Sequence, residues 1–102
     1  MVTVLGRETV EDIEVWKRAL HESADRRKEH GSMEASTGYR VFTVSDDPNE
    51  LVFLFEWDSI ENARAYFDSS ETAVIVEEAG VLEREISFLD EAETKSPERP
   101  TA

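Results

Sequence analysis

The chain has 102 residues, the size of one domain with a single modest core. Its formal net charge is −13 at pH 7, from 24 acidic and 11 basic residues, and this balance excludes nucleic acid and anionic membranes as expected partners. Cysteine is absent, which excludes disulfides, thiol catalysis and thiolate metal sites.

No stretch approaches the length of apolar sequence that a membrane span requires. The first ten residues, MVTVLGRETV, lack the basic start and the long apolar run of a secretory signal. We therefore expect a cytoplasmic protein. Two explanations of the acidity stay open. The carboxylates form a well-solvated surface, or they are an adaptation to high salt, which screens their mutual repulsion.

The first third of the chain predicts a strand followed by a long helix. The segment Val2–Glu8 alternates weakly and is interpreted as strand one. Thr9 with Asp12 three residues later resembles a helix-capping box. The segment Val10–His30 then carries an apolar stripe at helical spacing, and Gly31 is the expected stop. The stripe consists of Ile13, Trp16, Leu20 and Ala24.

The middle of the chain predicts a β-hairpin. Tyr39–Val44 is rich in β-branched and aromatic residues and is strand two, with a start as early as Glu34 left open. Asp46–Asn49 has the composition of a turn. Strand three, Leu51–Trp57, reads LVFLFEW and is apolar on both faces, which is typical of a strand in the middle of a sheet.

The last part predicts a second helical region and a final strand. Asp58 or Ser59 caps a helix that Ser69-Ser70 interrupts, and a further short helix ends at Gly80. Glu83–Asp90 alternates and is strand four. We therefore expect one domain over residues 1–91 and a flexible, acidic, proline-containing tail over residues 92–102.

The element order β-α-β-β-α-β predicts an α+β, ferredoxin-like split sheet with strands one and three in the centre. Both helical regions then lie on one face of the sheet. The opposite face carries Val, Leu and Phe side chains that no element of the chain covers. The sequence therefore predicts a homodimer in which two copies press these sheet faces together.

Several segments resemble a known group of proteins. These are the Trp-bearing first helix, the DDPNE hairpin, LVFLFEWDS leading into SIENARAYFDS, and the AGV turn before the last strand. Together they resemble the dimeric α/β-barrel superfamily, and within it the antibiotic biosynthesis monooxygenase-like (ABM-like) branch. The resemblance covers roughly residues 1–91, which is the whole predicted domain.

The resemblance implies a homodimeric barrel with a pocket between the helices and the sheet of each subunit. It also implies oxidation or rearrangement of a small aromatic or polyketide-like compound without a cofactor. Haem-degrading relatives use a His from the second helical region, but this chain has no His after His30. The first strand also lacks the Asn that enzymes of this group often place there.

Three aromatic residues are candidates for the pocket wall. Trp16 lies in the helical stripe, where core packing is the usual role, and Trp57 ends strand three beside a helix start, where clefts often form. Tyr66 flanks the apolar face of the second helix, so that its hydroxyl either orients a substrate or reaches water.

The charged candidates are one histidine and two arginines. His21 borders the stripe and titrates near neutrality, so it is the general-base candidate, with a surface histidine as the alternative. Arg27 falls on the inner azimuth and either extends out past the core or presents its guanidinium to an anionic ligand. Arg40 is the second anion anchor, or an edge-strand charge that discourages aggregation.

No cofactor or metal is expected, because neither a zinc-type ligand spacing, a calcium loop nor a glycine-rich phosphate loop is present in the sequence. Two alternatives to an enzyme stay open. One is a non-catalytic homodimer that binds a small molecule in the same pocket. The other is a structural barrel whose pocket is filled by its own aromatic side chains.

Overall fold

The computed structural model describes residues 1–98, which contain one four-stranded antiparallel sheet. The strands are β1 (Val2–Val10), β2 (Tyr39–Val44), β3 (Asp47–Trp57) and β4 (Val81–Leu89). Their order across the sheet is β2-β3-β1-β4. Because β1 and β3 occupy the centre, the prediction of a ferredoxin-like split sheet is confirmed.

Five helices within the described residues lie on one face of the sheet. They are α1 (Ile13–Glu22), α2 (Ala24–Glu29), α3 (Glu34–Thr37), α4 (Ile60–Phe67) and α5 (Ser70–Glu78). The helices therefore bury only one side of the sheet, and the side opposite them is called the open face below.

The first helix begins later than the capping-box pattern predicted. Strand β1 continues to Val10, and Thr9 pairs with Glu50 in the sheet instead of capping a helix. The cap is Asp12, whose carboxylate accepts the backbone N–H of Glu14 at 2.8 Å. The prediction for Thr9 was wrong because its place in the β1–β3 ladder outweighs its local capping preference.

The predicted long helix is also divided at Ser23. The Ser23 hydroxyl donates a hydrogen bond to the carbonyl of Ala19 at 2.8 Å, and such side-chain bonds to the preceding turn bend helices. Ser23 separates α1 from α2, and Gly31 ends the helical region with φ +105°. The stop predicted at Gly31 is confirmed.

The segment between α2 and β3 differs from the prediction in two places. Residues Glu34–Thr37 form the short helix α3 instead of the start of strand two. The hairpin turn lies at Ser45 and Asp46, because Val44 already pairs with Asp47. Strand β3 therefore includes most of the segment that was assigned to the turn.

The second helical region follows the sequence signals closely. The Ser59 hydroxyl accepts the backbone N–H of Asn62 at 3.1 Å and caps α4. Ser69 caps α5 through the N–H of Thr72 at 3.1 Å, so the predicted interruption is confirmed. Gly80, with φ +74°, ends this region as predicted.

The core lies between the helices and the alternate residues of the two central strands. These residues are Val2, Val4 and Val10 of β1 and Leu51, Phe53, Phe55 and Trp57 of β3. Ala63, Tyr66 and Phe67 of α4 pack onto them, and Trp16 of α1 packs against the end of the sheet that holds Val10. This layer positions the candidate site described next.

Beyond β4, the described chain forms neither helix nor strand over residues 91–98. The predicted tail extends past them, and its residues 99–102 lie outside the described part. Within the described part, no helix is long and apolar enough to cross a membrane.

Candidate functional site

A cavity of about 70 Å³ lies between the helices and the sheet. Its floor is formed by Glu8 of β1 and by Phe53 and Phe55 of β3. Helix α1 forms one wall, helix α5 forms the opposite wall, and Tyr66 of α4 and Arg27 of α2 also line the cavity. The lining is mostly apolar with a few polar groups, which is the usual composition of a small-molecule site.

The floor of the cavity holds a buried carboxylic acid. Glu8 occupies the same face of β1 as Val4 and Val10 and is 5% exposed. Its Oε1 accepts a hydrogen bond from the indole Nε1 of Trp16 at 2.7 Å. Within residues 1–98, no protein group donates a hydrogen bond to the Oε2 of Glu8. Oε2 therefore has no protein donor within the described residues, and Glu8 itself lines the cavity.

Burial determines the acidity of this group. Loss of hydration raises the pKa of Glu8 above its ordinary value of 4.5. The hydrogen bond from Trp16 and the positive charge of Arg84 act in the opposite direction but do not cancel the effect of burial. Glu8 therefore holds a proton more readily than an exposed glutamate, which suits a group that accepts a proton from a bound ligand.

The guanidinium of Arg27 is buried and already paired. Its Nε and Nη2 donate to the two carboxylate oxygens of Glu34 at 2.8 and 3.0 Å, and its Nη1 donates to the carbonyl of Leu20 and the hydroxyl of Ser23 at 2.8 Å. It also lies 5.1 Å from the ring centroid of Phe55. This geometry corresponds to neither sequence alternative, because Arg27 stays inside and its fork is occupied by Glu34.

Tyr66 lines the cavity from α4 and is 4% exposed. Burial raises the pKa of its phenol above 10.0, and the charges of Arg27 and Arg26 and a contact with Thr72 act against this rise. Its ring packs between the guanidinium of Arg26, at 5.5 Å, and the imidazole of His30, at 5.8 Å. The phenol is therefore a neutral group held in a fixed position beside the cavity.

Trp57 belongs to the core beside the site. It is fully buried, its ring lies 5.2 Å from that of Tyr66, and its indole N–H donates to the carbonyl of His30 at 2.7 Å. It does not line the cavity. The structure thus places Trp16, Arg27 and Tyr66 together at the cavity, and it places Trp57 behind Tyr66.

His21 and Arg40 do not share this location. His21 is exposed on α1, one residue past Leu20 and therefore turned away from the sheet. Arg40 pairs with Leu54 in the β2–β3 register, so both lie on the open face, opposite the cavity. Neither residue lines the cavity. The guanidinium of Arg40 instead lies 4.7 Å from the ring centroid of Phe42.

The acidic residue of the site was missed by the sequence analysis, although a signal for it exists. In β1 the buried residues alternate, and Glu8 falls in register with Val4 and Val10. A carboxylate on the buried face of a strand needs a partner or a function. The partner is Trp16, which belongs to a different element and is not evident from the local pattern.

The open face combines apolar and charged side chains. Four apolar residues adjoin one another across three strands, as the register of the sheet requires, and are called the open-face patch: Leu5, Phe42, Val52 and Leu54. Phe42 is 40% exposed. At one end of the patch, Arg7 pairs with Glu50 at 2.7 Å. No element within residues 1–98 covers this face.

Comparison with solved structures identifies the fold. The oxygenase SnoaB from Streptomyces nogalater, described as cofactor-independent, superposes with a TM-score of 0.72 at 14% identity, covering 91% of this chain and 94% of SnoaB. A crystal structure of an antibiotic biosynthesis monooxygenase gives 0.66 at 15% identity, covering 91% and 100%. A conserved protein from Methanosarcina mazei gives 0.64 at 17% identity, covering 86% and 89%.

No family model matches the chain, and no curated protein matches it. The chain has the ABM-like fold, as its resemblance to that group predicted. At these identities the likeness establishes the architecture, while the chemistry must be argued from the site.

Proposed function

We propose that the protein binds a small phenol or enol in the cavity and that Glu8 removes its proton, which starts an oxidation by molecular oxygen without a cofactor. The observation that carries this proposal is the buried carboxylate on the cavity floor, with Oε2 free of protein donors within the described residues. The fold shared with a cofactor-independent oxygenase is consistent with it.

The proposed reaction converts a phenol with a free para position and O₂ into a para-quinone and water. Glu8 takes the hydroxyl proton, and the resulting phenolate passes electrons to O₂ so that a C–O bond forms at the para carbon. The peroxide receives a proton. Loss of the para C–H proton then drives cleavage of the O–O bond, and the released hydroxide leaves as water. The substrate loses two hydrogens and gains one oxygen atom, and the second oxygen atom is in the water.

The residues around Glu8 position its carboxylate and shield it from water for the removal of the substrate proton. Trp16 holds the Glu8 carboxylate by its Oε1 and leaves Oε2 for the substrate hydroxyl. The apolar walls exclude water, which strengthens the interaction between the acid and the ligand. Arg27 is neutralised by Glu34 and therefore orders the wall instead of binding an anion. His21 and Arg40 have no part in this proposal because they lie away from the cavity.

The size of the cavity limits the ligand. A volume of about 70 Å³ is less than half of the ~150 Å³ of an engineered protein cavity that binds benzene. A single aromatic ring therefore fits only when one wall moves outward. This small volume favours a second candidate function, in which the protein is a non-catalytic dimer and the cavity holds no aromatic ligand.

Oxygen uptake with a single-ring, electron-rich phenol separates the two candidates. We expect the protein to consume O₂ and to transfer one atom of ¹⁸O₂ to the quinone. The Glu8→Gln variant keeps an acceptor for Trp16 but places an amide NH₂ where the base was, so kcat falls strongly. Binding of the phenol also weakens, because the amide NH₂ does not accept the hydroxyl proton. Uptake that equals the background, or that is unchanged in Glu8→Gln, contradicts the enzymatic proposal.

We also propose that the protein is a homodimer in which two open faces pack against each other. The open-face patch and the absence of a covering element within residues 1–98 support this assembly. In such a dimer Arg40 and Arg7 lie at the interface and not at the substrate site. A cytoplasmic location stays the prediction of the sequence analysis.

A further inference from the structure

A cavity that lies between the helices and the sheet needs a route by which a ligand reaches it. We propose that this route is the cleft between helices α1–α2 and helix α5, and that Arg26 controls it by fastening α5 in the closed position. This inference rests on the proposed function to the extent that the cavity receives a ligand. The route itself is argued from the geometry of the cleft.

The cleft lies directly outside the cavity. It has a volume of about 240 Å³ and is lined from α1 and α2 on one side and from α5 on the other. Three of its lining residues, Ala19, Ser23 and Ile75, also line the cavity. The cleft and the cavity therefore adjoin at two small side chains and one isoleucine, and Ile75 is the largest of the three.

One guanidinium holds the two sides of this cleft together. Arg26 of α2 donates from Nη1 to the carboxylate of Glu71 and from Nη2 to the hydroxyl of Ser69 at 2.9 Å. Ser69 is the N-cap of α5, and Glu71 lies in its first turn. Arg26 thus binds the beginning of α5, the helix that carries Ile75 and Val76 into the cavity wall.

The closed position leaves one polar group of Arg26 unsatisfied. Its Nε is buried and has no hydrogen-bond partner among the described residues. An unpaired buried donor weakens the state that buries it. The guanidinium also lies over the ring of Tyr66, which lines the cavity. Movement of Arg26 therefore changes both the cleft and the wall of the cavity.

Helix α5 is the wall that is best suited to move. Within α5 only Thr72 is buried, Val74 is 54% exposed, and Ile75 and Val76 are half-buried. Weakly buried elements open locally more often than core elements. The helix begins after the cap at Ser69 and is followed by Gly80 with φ +74°. The backbone changes direction at both ends, and these are the points about which α5 would move.

The charged side chains that line the cleft select ligands by their net charge. Glu22 and Glu78 line the cleft beside the ion pair of Arg26 with Glu71. An anionic aromatic compound is repelled by these carboxylates and by Glu8 inside the cavity. The route therefore favours neutral compounds, which agrees with a phenol that loses its proton only at Glu8.

Accessibility of Trp16 tests this route without any substrate. The chain has two tryptophans, and only Trp16 lines the cavity. In a Trp57→Phe background, quenching of Trp16 fluorescence by acrylamide reports how often the cavity opens. We expect Arg26→Met and Glu71→Gln to raise the quenching rate constant about two- to fivefold, the effect typical of losing one exposed ion pair. Added salt should raise it in the parent but not in Arg26→Met.

The matched control is Lys17→Met, which removes the ion pair with Glu14 at 3.5 Å elsewhere on α1 and should leave quenching unchanged. Thermal melts establish that each variant is folded. If Arg26→Met does not fold, Glu71→Gln decides, because Glu71 is exposed. Equal quenching in parent and Glu71→Gln overturns the route. Since no substrate is present, an absence of oxygen uptake bears on the proposed function alone.

Discussion

Glu8 and Trp16 are eight residues apart in sequence. Their contact depends on the tertiary fold more than on the residues next to either one in the sequence. The apolar stripe of the first helix correctly indicated that Trp16 faces inward. It did not indicate that the indole N–H meets a carboxylate on the central strand. The proposed base is thus a residue whose type departs from the pattern of the strand in which it lies.

Replacing Glu8 by glutamine should stabilise the protein at neutral pH. The raised pKa means that Glu8 is harder to ionise in the folded than in the unfolded chain, so its penalty is absent well below pH 4.5 and grows as the pH rises from there to the folded pKa. We expect a gain of about 0.5–2 kcal/mol in the free energy of unfolding at pH 7, measured by urea denaturation.

The same comparison has an internal control. At a pH well below 4.5 the parent and Glu8→Gln should have nearly equal free energies of unfolding, since both side chains are then neutral. A variant that is less stable at pH 7 indicates that the carboxylate is better solvated or better paired than the structure shows.

Arg27 should stabilise the folded protein and should not bind a charged group of the ligand. Arg27→Met leaves Glu34 without its partner in a partly buried place, and we expect a loss of about 3 kcal/mol from the free energy of unfolding. The double variant Arg27→Met/Glu34→Gln should recover part of it, as measured by denaturant titration. A single variant as stable as the parent contradicts this role.

Acid should act on the same pair. Burial alone would raise the pKa of Glu34, but the hydrogen bonds from Arg27 and Ser32 and the charge of Arg27 lower it below 4.5. The pair therefore contributes stability at pH values above 4.5, and this contribution is lost as the pH falls through the lowered pKa. Arg27→Met should abolish this part of the pH dependence.

The elements of the fold were predictable where local and tertiary preferences agree. Ser59, Ser69 and Gly80 mark helix boundaries by capping and turn chemistry that acts within a few residues. Thr9 failed as a boundary because β1 gains sheet partners on both sides as far as residue 9. The division at Ser23 depends on where its hydroxyl points, which periodicity does not specify.

The packing of β3 on β1 depends on a glycine. A Cβ at Gly6 would lie 1.8 Å from the ring of Phe53, which covers Gly6 and forms the cavity floor. We expect Gly6→Ala to reduce the free energy of unfolding by about 3 kcal/mol, because the ring must leave its place. In the Trp57→Phe background, Trp16 fluorescence should change as well, since its ring contacts Phe53 at a centroid distance of 6.2 Å.

Gly38→Ala is the matched control for this prediction. Gly38 has φ +71°, but no atom lies within 4 Å of a Cβ added there. Because Gly38 also has ψ −170°, a conformation nearly restricted to glycine, Gly38→Ala should lose about 1–3 kcal/mol from backbone strain and leave Trp16 fluorescence unchanged. Equal losses and equal spectra in the two variants would indicate that Phe53 does not rest on Gly6.

For the whole molecule, the open-face patch is the surface through which we propose that two copies pack. Leu54 pairs with Leu5 in the centre of the open-face patch, and a charge there is costly to bury in an interface. We expect the parent to sediment at twice the 11.6 kDa of one chain at micromolar concentration, and Leu54→Glu to sediment as a folded monomer. Val74→Glu, an exposed position on α5, should remain a dimer.

A folded parent that sediments at 11.6 kDa at these concentrations contradicts the dimer. The sequence predicted this face from the apolar residues of LVFLFEW and from helices on one side only. It did not predict the charges that accompany the patch, such as Arg7 with Glu50, because strand alternation gives the face of a residue and not its partner.

The most direct test of the account is a binding comparison between phenol and toluene. The two compounds have nearly the same shape, but phenol carries a hydroxyl group where toluene carries a methyl group. Calorimetric titration should show that the parent binds phenol at least as tightly as toluene, because Glu8 accepts the hydroxyl proton. In Glu8→Leu the preference should reverse by about tenfold or more, since a hydrogen bond to a charged group contributes about 1.5–3 kcal/mol. A parent that prefers toluene, or that binds neither compound, contradicts the assignment of this cavity.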